Sequence, residues 1–115
     1  DSAMQKRPSA RAESAAAKER LRTEGRTATA IGERLELTRA VLGLTQRAFA
    51  GEAGVKESTY SQYKTGTQTP DLENANKLCD RWQLTLDWIY RGEASGLDPD
   101  LHEAIKRVRQ ARPAT

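Results

Sequence analysis

Cysteine and histidine are almost absent from this 115-residue sequence, and their scarcity excludes several classes of function. Cys79 is the single cysteine and His102 the single histidine, so an internal disulfide and a Cys/His metal site both lack ligands. No pattern offers a nucleophile beside a base, or paired carboxylates for acid–base chemistry. We therefore expect no enzyme activity, no metal and no cofactor. Cys79 is expected to be a small core residue, in a reducing compartment.

Long apolar segments are missing too. No run approaches the roughly 18 apolar residues of a transmembrane helix, and the N-terminus lacks the apolar stretch of a secretory signal. The chain has room for one small domain plus tails. These features predict a cytoplasmic protein without membrane contact. Residues 1–3 precede Met4 and are typical of a remnant left by an expression vector.

Excess positive charge is confined to one end of the chain. Residues 1–30 contain seven Lys/Arg and four Asp/Glu, whereas residues 31–92 contain eight of each and residues 93–115 four of each. The formal net charge of +3 is therefore weak evidence for a polyanionic partner. If the chain binds nucleic acid, its local arrangement of side chains has to show it.

Composition divides the chain into three parts. Residues 1–28 form a basic, Ala-rich arm with Leu21 as its one large apolar residue, so the arm has little to bury. It is either mobile or becomes helical on a partner or on DNA. Residues 29–92 form the domain, and residues 93–115 a linker followed by an amphipathic helix.

Apolar periodicity and capping residues predict five helices in the domain, at about 29–42, 46–52, 56–65, 72–82 and 86–91. Thr45, Asp71 and Thr85 are suited to cap helix starts, and glycines such as Gly43 and Gly92 to end helices. The fourth helix is expected to point a set of residues inward, with Trp88 of the fifth helix also in the core. That set comprises Leu72, Ala75, Leu78, Cys79 and Trp82.

A sixth helix is predicted near the C-terminus, because Asp98 and Pro99 can act as its N-cap and first residue. Leu101, Ile105 and Val108 then form one apolar stripe. The stripe is too short to fold alone, so it packs on the domain, pairs with a second copy or frays. If the chain dimerises, either these three residues or the fifth helix could form the contact between copies.

The segment from Leu44 to Pro70, LTQRAFAGEAGVKESTYSQYKTGTQTP, carries the most specific pattern. Over residues 31–92 the chain resembles the lambda-repressor-like (Cro/repressor, XRE-class) helix-turn-helix family. The resemblance implies an all-α, five-helix DNA-binding domain, here with an N-terminal arm and a C-terminal helical extension. The matching features are Thr45-Gln46, Ala50, Gly54-Val55, Ser58-Thr59, Ser61, Gly66 and Pro70.

The third helix has a polar side that can contact DNA bases. At about 100° per residue, one side carries the residues that we call the recognition face. In the major groove, Gln62 could pair with adenine, Glu57 could accept from cytosine, and Lys56 could reach guanine or phosphate. The recognition face comprises Glu57, Ser58, Ser61, Gln62 and Thr65, and the opposite side carries Thr59, Tyr60 and Tyr63.

The resemblance implies base contacts at Lys56, Glu57, Ser58 and Gln62, and a phosphate contact at Gln46. Two departures from the family pattern concern capping: Lys56 stands where relatives often have Ser or Thr, and Ala48 removes the acidic half of a capping box.

We predict a sequence-specific transcriptional regulator, a repressor, that binds double-stranded DNA as a homodimer. Arg20, Arg22 and Arg26 are possible DNA contacts of the arm, and a mobile arm is the alternative. The alternative function is an antitoxin or adaptor that uses the same fold mainly to hold a protein partner.

Overall fold

The computed structural model describes residues 24–111, and in that range the chain is all-helical, as expected, without a strand. No helix in the same range is long and apolar enough to cross a membrane. The helices are α1 (Ala28–Val41), α2 (Gln46–Ala53), α3 (Glu57–Lys64), α4 (Leu72–Trp82), α5 (Leu86–Arg91) and α6 (Pro99–Ala111).

Side-chain caps set most of the helix starts. The Oγ1 atoms of Thr27, Thr45 and Thr85 accept the amide of the residue three positions on, at 3.0–3.1 Å. Asp71 accepts the Asn74 amide at 2.8 Å in the same way. Each bond satisfies one of the amide groups that a helix start leaves without an intrahelical acceptor. The predicted caps at 45, 71 and 85 are confirmed.

Helix α1 is the central element, because it packs against α3, α5 and α6. Its closest approach is to the end of α3, at the buried Gly32. A β-carbon at this position would lie 2.2 Å from the Tyr63 carbonyl oxygen and 2.9 Å from that of Lys64. Only glycine therefore lets the two backbones come this close.

The centre of the core is a group of aromatic side chains between α2, α3 and α4. Phe49 meets Tyr60 edge to face at 5.5 Å between ring centroids and stacks on Trp82 at 5.8 Å. The Trp82 indole nitrogen donates to the Phe49 carbonyl at 2.9 Å, so this half-buried tryptophan faces the core as expected. Leu72 differs from the prediction: it is 59% exposed, because it begins α4 at the domain's rim.

A buried polar network joins α1 to α5. The Arg34 guanidinium donates to the carbonyls of Trp88 and Ile89, both at 2.9 Å, and thereby caps the last turn of α5. The Trp88 indole donates to Thr38 Oγ1 at 2.9 Å, and this hydroxyl donates to the Arg34 carbonyl. Burial, reinforced by Arg109, lowers the pKa of Arg34, while Glu33 opposes the shift.

Helix α6 decides between the alternatives for the apolar stripe. Asp98 Oδ2 accepts the amides of Asp100 and Leu101, so the expected cap is present. Leu101 and Ile105 are only 8% and 1% exposed, because they pack inside this chain's own core, where α6 lies against α1. Of the three alternatives for the stripe, packing on the domain is therefore the one that the structure shows for these two residues, and their burial gives no support to a role as dimer contacts. Val108, 37% exposed, is the one member of the stripe at the surface.

Candidate nucleic-acid interface

Helices α2 and α3 are joined by a tight turn that backbone hydrogen bonds hold in place. Gly54 ends α2 in the left-handed region, at φ 87°. The next amide, from Val55, bonds back to the Ala50 carbonyl at 2.9 Å, and the Val55 side chain is buried. With Phe49 and Ala50 also buried, the turn fixes the angle at which α3 leaves α2.

The recognition face lies at the surface of α3. Glu57, Ser58, Gln62 and Thr65 are exposed and Ser61 is half-buried. On the opposite side, Tyr60 and Tyr63 are fully packed in the core. The division of α3 into a polar outer side and an anchored inner side therefore matches the predicted one.

Thr65 is placed differently from the other members of the recognition face. It is the C-cap of α3, and its hydroxyl lies 3.2 Å from the Ser61 carbonyl oxygen and 3.3 Å from that of Gln62. The same hydroxyl pairs with that of Thr67 at 2.8 Å. Thr65 thus closes the carboxyl end of α3. The group that it presents at the surface is its hydroxyl, paired with that of Thr67.

The starts of α2 and α3 carry further polar side chains that are at least partly exposed. Lys56 is the exposed N-cap of α3 and makes no side-chain capping bond, as its departure from the family pattern suggested. Gln46 is half-buried as the first residue of α2, and the exposed Arg47 follows it. Arg47 was not among the contacts predicted from the sequence. Its place in the first turn of a capped helix was the available signal.

A hydrogen-bonded cluster, which we call the Glu36 clamp, connects α1 to the inner side of α3. The Tyr60 hydroxyl donates to Glu36 Oε2 at 2.5 Å. Arg39 donates to both oxygens of the same carboxylate at 2.9–3.0 Å, and to the Leu44 carbonyl before α2 at 2.7 Å. One carboxylate therefore ties together α1, α3 and the loop that leads into α2.

The Glu36 clamp also changes the acidity of its members. Burial acts to raise the pKa of Glu36, but the hydrogen bonds from Arg39 and Tyr60 outweigh it and lower that pKa. Burial and the Glu36 carboxylate raise the pKa of the Tyr60 phenol. At neutral pH the clamp is thus a carboxylate held by a neutral phenol and a guanidinium.

Helix α4 also holds α3, since the side-chain amide nitrogen of Asn74 (Nδ2) donates to the Tyr63 hydroxyl at 2.8 Å. Both tyrosines of α3 are therefore fixed at their polar ends as well as by packing. A helix anchored in this way can leave its other side exposed without losing its orientation.

Four residues singled out by the sequence remain to be placed. Arg26 is exposed just before α1, while Arg20 and Arg22 lie outside the described residues. Cys79 is half-buried, and burial together with the Asp80 carboxylate raises the pKa of its thiol to about 11. A protonated thiol is a poor nucleophile, in keeping with a packing role.

Between residues 24 and 111, no three His, Cys, Asp or Glu side chains cluster as metal ligands would.

Comparisons with known proteins point to one family. The model of a helix-turn-helix domain matches residues 32–95, which is more than half of the chain. The chain is 29% identical over 80 residues to the cryptic phage CTXphi transcriptional repressor RstR of Vibrio cholerae, covering 70% of this chain and 71% of that protein. It is 30% identical over 70 residues to the SPbeta prophage-derived uncharacterized HTH-type transcriptional regulator YonR of Bacillus subtilis, covering 61% of this chain and 65% of that protein. No solved structure matches significantly.

Proposed function

Because the chain belongs to the helix-turn-helix domain family, we propose that it is a transcriptional regulator that binds double-stranded DNA sequence-specifically, with α3 in the major groove. One observation carries the proposal. Helix α3 is anchored through Tyr60 and Tyr63, while its outward side presents short donors and acceptors. A major groove about 12 Å wide admits such a helix.

Within this arrangement, Gln62 is the strongest candidate for base recognition. It is exposed near the middle of the recognition face, and its amide can donate and accept in one plane, as adenine N7 and N6 require. Glu57 can accept from a cytosine amine, and Ser58 and Ser61 can bond to base edges or phosphates. Lys56 supplies a cation at the start of α3.

The start of α2 is proposed to bind the DNA backbone. Gln46 and Arg47 are the first two residues of a helix whose free amide groups attract phosphate. Backbone contacts fix the position of α3 on the duplex but carry no sequence information. Sequence preference would thus come from α3, and register from α2.

We further propose that the chain is a repressor, acting in the cytoplasm as a homodimer on a two-fold-related operator. One eight-residue recognition helix covers only a half-site, so two copies about 34 Å apart are expected. The repressor assignment follows the name of the Vibrio cholerae relative. Since Leu101 and Ile105 are buried within one chain, the contact between copies uses another surface. The number of copies on one duplex, measured by light scattering, tests the dimer.

The proposal is tested by selecting bound duplexes from a random pool, with the full chain and with Gln62→Ala. We expect a defined motif that relaxes at one base pair in the variant. Gln110→Ala is the matched control, because Gln110 is an exposed glutamine on α6. Failure of the full chain to select any motif at about 0.1 M salt would contradict the proposal.

The alternative of an antitoxin or protein-binding adaptor gains no specific support. Among residues 24–111, the large apolar side chains classed as exposed are Leu72 and Val108, on different helices. Interfaces between proteins usually centre on a contiguous apolar patch.

A further inference from the structure

A partly enclosed cavity of about 230 Å³ lies between helix α6 and the linker that leads into it from α5. The linker contributes Ala94 to the lining. The remaining lining residues follow one another at helical spacing along one side of α6, and they are His102, Ile105, Lys106, Arg109 and Gln110. None of them belongs to the recognition face or to the starts of α2 and α3. The cavity is therefore built from other residues than the proposed DNA-binding surface.

The linker wall of this cavity is fixed by backbone hydrogen bonds and by packing. The Leu97 amide donates to the Ala94 carbonyl at 3.0 Å, and the Leu97 side chain is buried. The Glu93 amide donates to the Asp87 carbonyl at 3.1 Å, which ties the start of the linker to α5. A ligand would therefore enter a cavity that is already formed, without the entropic cost of ordering the chain.

The lining combines apolar surface with positive charge. Most of its surface is apolar, and the buried Ile105 supplies part of it together with Ala94. Lys106 and Arg109 are cations, and the side chains of His102 and Gln110 can each donate a hydrogen bond. None of the described residues that line the cavity is acidic. The lining thus suits a molecule that has both an apolar part and a negative charge.

Arg109 is positioned at this cavity by an aromatic ring. Its guanidinium carbon lies 5.1 Å from the centroid of the Trp88 ring, a distance at which the ring attracts a cation. On its other flank, Arg109 lines a smaller cleft together with Glu33 and Arg34. A guanidinium held in this way is a preorganised partner for a carboxylate, because its planar array of donors matches the two carboxylate oxygens.

We propose that this cavity binds a small organic acid, whose carboxylate pairs with Lys106 and Arg109 and whose apolar body lies against Ile105 and Ala94. An apolar cavity of about 150 Å³ is large enough to hold benzene, so the present volume admits an aromatic ring with a short acidic side chain. An inorganic anion would leave the apolar lining in water, and a neutral apolar molecule would leave the two cations without a partner. The proposal goes beyond the proposed function, since binding to DNA requires no small ligand.

The test is an NMR titration of the full, ¹⁵N-labelled chain with sodium phenylacetate. We expect saturable shifts of the amide signals of Ala94, His102 and Ile105, with a dissociation constant of about 5 mM or lower for a ligand of this size. Phenylacetamide keeps the shape but not the charge, so it should bind roughly tenfold more weakly. Acetate keeps the charge but has no ring to bury, so it should also bind more weakly than phenylacetate.

Two variants locate the binding site. Lys106→Gln should weaken phenylacetate binding about threefold, the size expected for one partly exposed charge pair, whereas Arg107→Gln, on the same helix outside the cavity, should change it little. Ala94→Leu should abolish binding, because the larger side chain fills the cavity. Ala40→Leu, at an exposed position of α1, is its matched control and should bind as the parent does.

Three results would overturn the inference. They are the absence of saturable shifts at the cavity up to about 20 mM phenylacetate, equal affinity for phenylacetate and phenylacetamide, and unchanged affinity in both Lys106→Gln and Ala94→Leu. If only a capped phenylalanyl-aspartate dipeptide shifts these signals, the occupant is an acidic segment of a protein and the small-acid inference is wrong. Because no DNA is present in these titrations, each of these results leaves the proposed function untouched.

Discussion

Two parts of the domain pack on helix α1, and the contacts that join each part to α1 differ in kind. The supporting half, α5 and α6, is joined to α1 by fully buried contacts around Arg34, Thr38 and Trp88. The recognition half, α2 and α3, is joined to it by a close backbone approach at Gly32 and by the partly exposed Glu36 clamp. The difference suggests that the supporting half mainly sets stability, whereas the contacts to the recognition half also set the position of α3.

The sharpest separation of the two halves should come from Arg34→Ala. The substitution removes a buried guanidinium that donates to the carbonyls of Trp88 and Ile89, of which the Trp88 carbonyl keeps the Gly92 amide as a donor. We expect the free energy of unfolding to fall by about 3 kcal/mol, the size expected for charged hydrogen bonds lost from a buried site. Denaturant titration measures this loss. At a temperature where the variant is folded, its DNA affinity should match that of the parent.

Two companion variants complete the Arg34 test. Arg34→Lys keeps the charge but not the two-pronged geometry, so it should recover only part of the lost stability. Arg107→Ala removes an exposed arginine of α6 and should cost little. A fall in DNA affinity that persists when Arg34→Ala is fully folded would contradict the division into halves.

The second largest effect is expected from Gly32→Ala, which should impair both stability and DNA binding. The added carbon would meet the Tyr63 carbonyl oxygen at 2.2 Å, so α1 and α3 must move apart. We expect a loss of about 2 kcal/mol in unfolding free energy, in the range for overpacked sites. Because the movement displaces α3, DNA affinity should also fall at temperatures where the variant is folded.

Gly51→Ala is the matched control, since Gly51 also lies in a helix but has no atom within 4 Å of the added carbon. It should stabilise the protein by about 0.5–1 kcal/mol through helix propensity. Equal effects of the two substitutions would show that α1 does not set the position of α3 at Gly32.

A smaller and pH-dependent effect is expected from Tyr60→Phe, which removes the phenol from the Glu36 clamp. Glu36 has a lowered pKa in the folded protein, so its contribution to stability is present above the ordinary glutamate pKa. That contribution is lost as the pH falls through the lowered folded-state value. The variant should therefore lose about 1 kcal/mol at neutral pH, and less in acid. Thermal unfolding from pH 7 down to pH 3 measures the trend.

Tyr90→Phe serves as the control for this pH dependence. The Tyr90 hydroxyl donates to the Pro70 carbonyl at 2.8 Å, so its acceptor does not titrate. The cost of this substitution should stay constant over the same pH range. If Tyr60→Phe behaves in the same way, the strength of the Tyr60–Glu36 hydrogen bond does not depend on the charge of Glu36.

The recognition half was largely predictable from the sequence, because its signals are local. Thr45 and Gly54 specify a cap and a turn within a few residues, and the tyrosines of α3 follow helical spacing. The supporting half was less predictable, since its contacts join residues far apart in the chain. Arginine is seldom buried, so nothing marked Arg34 as a buried cap of α5. The stripe at Leu101 and Ile105 predicted burial correctly but could not show which surface would bury it.

The smallest effect concerns the start of α3, where stability and DNA binding are expected to oppose each other. Lys56 is the N-cap of α3 without a side-chain capping bond. Lys56→Ser supplies a capping hydroxyl and should stabilise the protein by about 0.5–1 kcal/mol. It also removes a cation beside the recognition face, so DNA affinity should fall. If Lys56 contacts a phosphate, the slope of log affinity against log salt should become less steep by about 0.9.

Lys56→Gln removes the cation without adding a good cap. The two variants should therefore lose similar affinity while only the serine variant gains stability. If Lys56→Ser gains stability and keeps full DNA affinity, Lys56 does not contribute to DNA binding. The missing cap at the start of α3 would then have another cause.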